Sequence, residues 1–295
     1  MPEELRVMQL SDHESVKDLC ALLWGERDYV PRRFPHWIED SDSYPFGIFS
    51  GSDLLAMGCL EVVPDSRVAW AKALRVSPEQ QRRGHGSRIL HEMVETAKIQ
   101  GVTRIRYATS SRNKASIALA ERSGFSLRNS VGYYRLEPPF PQHPKPSPSI
   151  APLSVGPDHL AEVLDSKPFL IGGETFPFSW EFYGTDAGSL ERIAQLGKIR
   201  VINDDSGEAN SVLLSREMVR DEVKTSVYSF FSINRSVFVD TFSRVLDELE
   251  ESKTDRAAFF FGPGPDDWVQ YIVDIPEEFK GRRFLLFEYS MQMAQ

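Results

Sequence analysis

Apolar residues along this chain recur in two rhythms. From Asp12 to Leu23 they fall at Val16, Leu19, Cys20 and Leu23, the spacing of one helix face. Leu54–Val63 and Val68–Val76 are apolar runs joined by Pro64-Asp65-Ser66-Arg67, and predict two strands of a hairpin. Gly86–Gln100 returns to the helical period, with Ile89, Leu90, Met93, Val94 and Ala97 on one face and Gly101 as the stop. Phe46–Phe49, Arg104–Thr109 and Phe125–Leu136 read as strands, and Asn113–Arg122 as a helix that ends at Gly124. The order then recurs without evident sequence identity. It runs through a helix at Leu190–Leu196 and strands at Lys198–Asn203, Ser211–Ser215 and Thr225–Ile233. An amphipathic helix at Val237–Glu251, a strand at Ala257–Phe261, a helix at Asp266–Val273 and a strand at Arg283–Tyr289 complete it. The pattern predicts an α/β fold with a mixed sheet, one β-β-β-α-β-α-β plan used twice.

Between the two halves stand prolines at 138, 139, 141, 144, 146, 148, 152 and 157, mixed with Ser and Gln. Such a segment runs as neither helix nor central strand and reads as an extended linker. The expected organisation is one domain over 1–137, a linker over 138–157 and a second domain over 158–295. The 295 residues suit two domains of roughly 140 each.

Composition narrows the function classes. A net charge of −9 disfavours a nucleic-acid partner. No apolar run approaches the ~20 residues of a membrane span, so no membrane partner is expected. The acidic Met1-Pro2-Glu3-Glu4 start carries neither a secretory nor a transit pattern, and a cytoplasmic location is expected. Cys20 and Cys59 sit in apolar surroundings and read as two buried thiols. The six histidines are scattered, so no metal is expected.

The chemistry concentrates at Leu74-Arg75-Val76-Ser77-Pro78-Glu79-Gln80-Gln81-Arg82-Arg83-Gly84-His85-Gly86-Ser87. A strand ends, a glycine turn follows and a helix begins. The first N–H groups of a helix lack intrahelical partners and, with the helix dipole, suit an anion such as pyrophosphate. Glycine lets the backbone come close to the ligand, and Arg82 and Arg83 add positive charge at the rim. The turn is not a P-loop, and Ile89 occupies the place of the third glycine of a dinucleotide fingerprint.

Gln81-x-x-Gly84-x-Gly86 after Leu74-Arg75-Val76-x-Pro78 resembles motif A of the GCN5-related N-acetyltransferase (GNAT) superfamily. Asn113-Lys114-Ala115-Ser116-Ile117-Ala118-Leu119-Ala120-Glu121-Arg122-Ser123-Gly124-Phe125 resembles its motif B, and the likeness covers about residues 5 to 136. The resemblance implies acetyl-coenzyme A as co-substrate, with the pyrophosphate on Gln81, Arg82, Arg83, Gly84, His85, Gly86 and Ser87. It also implies that the Leu74-Arg75-Val76 edge pairs with the pantetheine arm through the backbone groups of Leu74 and Val76, and that Asn113 reaches the same arm. His85 is expected to present its backbone N–H rather than its ring. The second half has Asn234-Arg235-Ser236 where the turn would be, so it reads as a degenerate copy that completes the acceptor site.

Amine acetylation needs a neutral amine, a donor for the developing oxyanion and a proton for the leaving thiolate. The Val76 N–H is the candidate donor. The familiar acid position of motif B is Ala120, and the base position of relatives that modify ribosomal protein N-termini is Ala108. Geometry offers substitutes. If the 64–67 turn sets the register, Glu61 faces Trp70 with Lys72 diagonal on the same face, so Glu61 is the candidate base. Its alternative reading is an ion pair with Lys72. Tyr134 is the candidate acid, and its alternative is a packed aromatic.

Asp28-Tyr29-Val30-Pro31-Arg32-Arg33-Phe34-Pro35-His36-Trp37-Ile38-Glu39-Asp40 resembles the region of the histidine N-acetyltransferase family that overhangs the acceptor, and the second half is also similar to that family at Gly172-Gly173, Trp180 and Tyr183. Lys72 stands where that family carries Glu. Tyr29, Arg33, Trp37 and Trp180 are the substrate-binding candidates, Arg33 as a fork for an acceptor carboxylate. The aromatic run Phe176, Phe178, Trp180, Phe182 and Tyr183 reads as a pocket wall or as a core contact. The expected activity is N-acetyl transfer to an amino acid or small primary amine. A protein N-terminal or lysine acetyltransferase and a non-catalytic acyl-coenzyme A sensor are the alternatives.

Overall fold

A computed structural model describes residues 2–25, 28–147, 152–204, 206–220 and 223–291. The part of the proline-rich segment at 148–151 lies outside the described residues. The chain divides into two compact units. The first comprises Met1–Thr109, Asn113–Arg128 and Leu286–Gln295, and the second Ser110–Arg112 and Asn129–Leu285.

In chain order the first half contributes β1 (Glu3–Val7), α1 (His13–Trp24), α2 (Val30–Glu39), β2 (Ser43–Ser50), β3 (Asp53–Val62), β4 (Val68–Val76), α3 (His85–Ile99), β5 (Arg104–Ser110), α4 (Lys114–Arg122) and β6 (Ser126–Leu136). The rest follows as β7 (Leu153–Ser154), α5 (Pro157–Ser166), β8 (Thr175–Phe178), β9 (Glu181–Gly184), α6 (Ala187–Leu196), β10 (Lys198–Asn203), β11 (Ala209–Arg220), β12 (Val223–Ser232), α7 (Arg235–Glu251), β13 (Arg256–Phe261), α8 (Pro263–Val269) and β14 (Arg283–Ser290).

The predicted helical faces pack as their period requires. Ile89, Leu90, Met93, Val94 and Ala97 of α3 are all buried, as are Val16, Leu19 and Cys20 of α1. The 64–67 turn does set the register of β3 on β4, with Glu61 opposite Trp70. One element escapes the pattern. The α2 segment carries Pro31 near its start and Pro35 inside it, which argues against a helix by composition. A proline at 35 cannot donate to the carbonyl of residue 31. His13 Nε2 supplies the missing bond to Pro31 O at 2.8 Å, which requires the tautomer protonated there. The ring of His13 also stacks on Phe34, with centroids 5.9 Å apart.

The strand order of the first unit is β1-β2-β3-β4-β5-β14, and that of the second is β6-β13-β12-β11-β10-β7. This differs from two self-contained halves split at 138–157. The change of unit falls inside β6, between Arg128 and Asn129, and the chain returns to the first unit at Leu286. Each half gives its last strand to the other half's sheet. Leu286 and Phe287 are buried, and Glu288 sits 3.5 Å from Arg106 of β5. Tyr289 packs on Phe125 with centroids 5.4 Å apart.

The aromatic run after residue 175 belongs to the second unit's own interior. Phe176, Phe178 and Tyr183 join a cluster with Leu190, Ile193 and Phe231. Phe182 stacks on Phe284 with centroids 5.3 Å apart. A second cluster gathers Phe230, Phe238, Phe242, Phe259 and Phe261 between α7 and its strands.

A fragment ending at residue 137 lacks the strand that lies beside β5 and leaves that edge unpaired. Fragment 1–137 is expected to show no cooperative urea transition, whereas the full chain unfolds cooperatively. In the full chain, Phe287→Ala should cost about 3–5 kcal/mol, read as a lower urea midpoint.

Candidate functional site

The site is built where β4 and β5 part. They run parallel and pair only over Val68–Trp70 with Arg104–Arg106, although both strands continue. On β3, the register of β4 slips between Met57 and Cys59, and Ala73 takes a left-handed φ of +56°. A bulge of this kind bends its strand and re-aims its neighbours. The far end of β4, from Ala71 to Val76, is left without a β5 ladder. Among the described residues no strand pairs with the backbone on that side, which is open to an extended ligand arm.

Beyond β4 the chain makes a short 3-10 turn at Pro78–Gln80 and enters α3 through Gly84. Gly84 has φ +87°, and a Cβ there would meet nothing within 4 Å, so the glycine serves conformation rather than packing. Gly86 serves close approach: a Cβ would come within 3.2 Å of Leu119 Cδ2 on α4. Arg82 is also left-handed, at φ +65°. Such residues curl successive N–H groups toward a common concavity. No side chain among the described residues caps α3. The N–H groups of His85, Gly86 and Ser87 have no partner among the described residues. Gln81, Arg82, Arg83 and Gly84 are exposed. The His85 ring is 3% exposed with both nitrogens unbonded, and its Nε2 lies 3.7 Å from Glu3, so toward solvent it offers its backbone. These observations fit a diphosphate: a concave run of free N–H groups at a helix start, rimmed by two exposed arginines. Asn113 stands at the start of α4, where its Oδ1 caps the Ser116 N–H at 3.1 Å.

The second unit repeats the plan and closes it. There β12 and β13 stay paired over six residues, Thr225–Phe230 with Arg256–Phe261. The Gly262 N–H continues the ladder to Phe230 O at 2.9 Å. Asn234 Oδ1 takes the N–H groups of Ser236 and Val237, at 3.0 and 3.3 Å, at the start of α7. No cleft opens between these strands, and the helix start is already satisfied.

On the face of β3 and β4, Lys72 Nζ lies 3.1 Å from Glu61 Oε1, and both side chains are less than one-fifth exposed. The ammonium is 5.9 Å from the Trp70 ring, and Arg106 lies 6.0 Å over the same ring. Tyr134 belongs to the second unit, unlike Glu61. It is buried, it packs 5.3 Å from Phe261, and its hydroxyl donates to Asp266 Oδ1 at 2.9 Å. Burial first, then Asp266, pushes that hydroxyl well above the usual tyrosine range.

The structure brings Tyr29 and Trp37 together as an edge-on pair 6.5 Å apart. Trp37 is 2% exposed, and its Nε1 has no hydrogen bond among the described residues. Arg33 is exposed on α2. Trp180 lies in the second unit, at the tip of the β8–β9 hairpin.

Two features were missed by sequence reading. Arg75 makes a two-pronged bond to Asp28, Nε to Oδ2 at 2.7 Å and Nη2 to Oδ1 at 2.9 Å. These residues lie 47 positions apart, with no local pattern to join them. Burial works to raise the Asp28 carboxyl, but the bonds and charge of Arg75 and the Val30 N–H outweigh it and hold the carboxyl below its ordinary value. The neighbouring Cys20 thiol is pushed up to about 12, by burial first and then by Asp28. The second missed feature is Tyr107, the first residue of β5 beyond the paired segment, hydrogen-bonded to Ser116 of α4. Burial pushes its hydroxyl up, so it stays protonated at neutral pH. A tyrosine in an apolar run gives no sign of that partner.

The acetyltransferase (GNAT) family matches residues 9–125, which span every element of the cleft from α1 to α4. The search of curated proteins gives no match. Solved structures match over the whole chain. A GCN5-related N-acetyltransferase from Sphaerobacter thermophilus is 10% identical, with 99% of this chain and 97% of that one covered and a TM-score of 0.62. A tandem GNAT protein from the clavulanic acid biosynthesis pathway is 11% identical, with both chains covered in full and a TM-score of 0.60. The glucosamine N-acetyltransferase region of a fungal multi-domain β-N-acetylglucosaminidase is 11% identical, with 98% of this chain and 38% of that one covered and a TM-score of 0.66. The fold is the tandem GNAT fold, with its open cleft in the first unit. No described helix is long and apolar enough to cross a membrane.

The sign of the Asp28 effect follows from its lowered value. Its contribution to stability is complete above the unfolded carboxyl value near 3.8 and is lost as pH falls through the lower native one. Asp28→Asn, which leaves the Arg75 charge buried, should cost about 3–5 kcal/mol at neutral pH. The deficit should shrink below pH 3, and urea titrations at both pH values measure it.

Proposed function

From the acetyltransferase match over residues 9–125 as premise, we propose that the chain transfers an acetyl group from acetyl-coenzyme A to the primary amine of an amino acid or similar small molecule. The observation that carries the donor half is the parting of β4 and β5 next to an uncapped helix start. Enzymes of this family use acetyl-coenzyme A as co-substrate, and it supplies an acyl group activated as a thioester. The His85, Gly86 and Ser87 N–H groups hold the diphosphate, with Arg82 and Arg83 at its rim. The free edge at Leu74 and Val76 takes the arm as an added strand, and Asn113 reaches it with its remaining amide donors. The Val76 N–H receives the negative charge that develops on the carbonyl oxygen.

Glu61 accepts the proton that the amine loses, and the ammonium of Lys72, 3.1 Å away, holds its carboxylate in place. Tyr107 donates to the departing thiolate, because its proton is retained at neutral pH and its strand faces the opening. Tyr134 has its proton engaged by Asp266 and is given no step. Tyr29 supplies the aromatic wall of the acceptor side, and Trp37, which was expected to touch the acceptor, is buried in the core and backs that ring edge-on. Arg33 is free to fold toward an acceptor carboxylate, as expected for a histidine-like amino acid. Acceptors differ among proteins of this fold; the fungal region above is named for glucosamine.

Thiol release measured across the twenty amino acids, small amines and a peptide set tests the reading. Turnover is expected with a free amino acid, and a preference for peptides would overturn the acceptor class. Gly86→Val should weaken coenzyme A binding about 100-fold or more in calorimetry, since the branch meets Leu119 and the cradle. Glu61→Gln should lower kcat about 100-fold. It should also remove the acid limb of kcat/KM against pH, and an unchanged profile would sink the role given to Glu61.

A further inference from the structure

The second unit, though its cleft is closed, holds a cavity of about 250 Å³ lined by Arg135, Arg256, Arg282 and Arg283, with Tyr133 and Trp180 among its walls. The charges there do not balance. Arg135 and Arg256 share one carboxylate, Glu137, at 3.5 and 3.0 Å. Arg283 has Asp266, and also donates to Ser130 Oγ and to Ser130 O. Arg282 has no carboxylate within 4 Å among the described residues. Its Nε donates to Ser110 Oγ at 3.2 Å, and its guanidinium lies 5.1 Å over Tyr133 and 5.2 Å over Phe279. Four guanidinium groups therefore meet two carboxylates. Burial first, with the charges of Arg112 and Arg135, pushes the Arg282 guanidinium down against the opposing effects of Tyr133 and Glu278.

A second observation points the same way. Ser179 and Trp180, the two residues that link β8 to β9, are both left-handed, at φ +54° and +68°. A two-residue hairpin of this kind is normally filled by Asn and Gly, and a bulky residue there is strained. Here the strained residue is a tryptophan whose ring stands edge-on to Phe260 at 5.8 Å and lines the arginine cavity. Strain held at such a place is a mark of a functional wall.

We propose that this cavity is a binding site for a small organic dianion, its charged end held by Arg282 and the neighbouring guanidinium groups and its flat body lying against Trp180 and Tyr133. Two uncompensated positive charges call for a ligand of charge −2, and planar forks match carboxylate and phosphate oxygens alike. The volume lies below the ~300–1,000 Å³ of clefts for drug-sized ligands, so the guest is metabolite-sized. Phosphate monoesters and dicarboxylates share this chemistry. Every residue that lines the cavity falls in the second unit, and none of them is given a step in acetyl transfer.

Calorimetry on the full chain with inorganic phosphate, phenyl phosphate and glutarate tests it, with and without saturating coenzyme A. The expected result is one saturable site per chain, unaffected by coenzyme A, with phenyl phosphate tighter than inorganic phosphate. Tighter phenyl phosphate than glutarate identifies a phosphate ester as the source, and the reverse a dicarboxylate. Arg282→Gln should weaken binding at least tenfold, as expected for lost charged hydrogen bonds, and Arg282→Lys should recover part of that. If Arg282→Gln does not melt like the parent, Arg256→Gln takes its place. No saturable binding of any probe, binding that coenzyme A abolishes, or binding that neither substitution weakens would each overturn the proposal.

Discussion

The structure of the first unit depends on a ladder that stops early. β4 and β5 share three paired residues and then part, while β4 keeps its other edge on β3. A parallel pair that stays closed has no room for a ligand between its strands. One that opens presents unpaired backbone on a rigid frame, next to the helix that follows. The bulge at Ala73, the glycine turn and the free N–H groups of α3 are meaningful because they all face that opening.

The second unit is the internal control. It has the same order of strands and a long helix after the fourth strand of its sheet, yet β12 and β13 remain zipped and Asn234 caps the helix. Phenylalanines at 259, 260 and 261 bury both faces of β13. Burial of this extent favours a closed, packed ladder over an open one. The same fold plan thus holds a cleft in one unit and a solid core in the other. What the second unit offers a ligand is a basic cavity with an aromatic wall rather than a helix start.

Exchange of final strands binds the fate of the halves together. Strand β14 lies beside β5, and β6 lies beside β13, so neither half of the sequence completes its own sheet. The buried Leu286 and Phe287 are core residues of a unit whose other strands were made over 170 residues earlier. Contacts of such separation order late and at large loop-closure cost, so folding of the first unit waits on the end of the chain.

Much of the donor site was legible because it is local. The glycine at 84, the free N–H groups after it and the apolar face of α3 lie within one short stretch whose spacing carries their meaning. The hairpin turn at 64–67 counted out the pairing of Glu61 with Trp70, and with it the contact to Lys72. Helix α2 was hidden because two prolines speak against it, and only His13, from another helix, restores the lost bond. The sequence announced β6 and β14 as strands but says nothing of partners, so their exchange was decided by tertiary structure. The same holds for Asp28 with Arg75, and for arginines at 135, 256, 282 and 283, which sequence scatters and folding gathers. The sequence by itself determined what short-range sterics and hydrogen bonding dictate: the periods, the turn and the anion cradle. Only the tertiary structure decided which ladder opens, which strands change sheets and where unbalanced charge collects, because those depend on contacts between residues far apart in the chain.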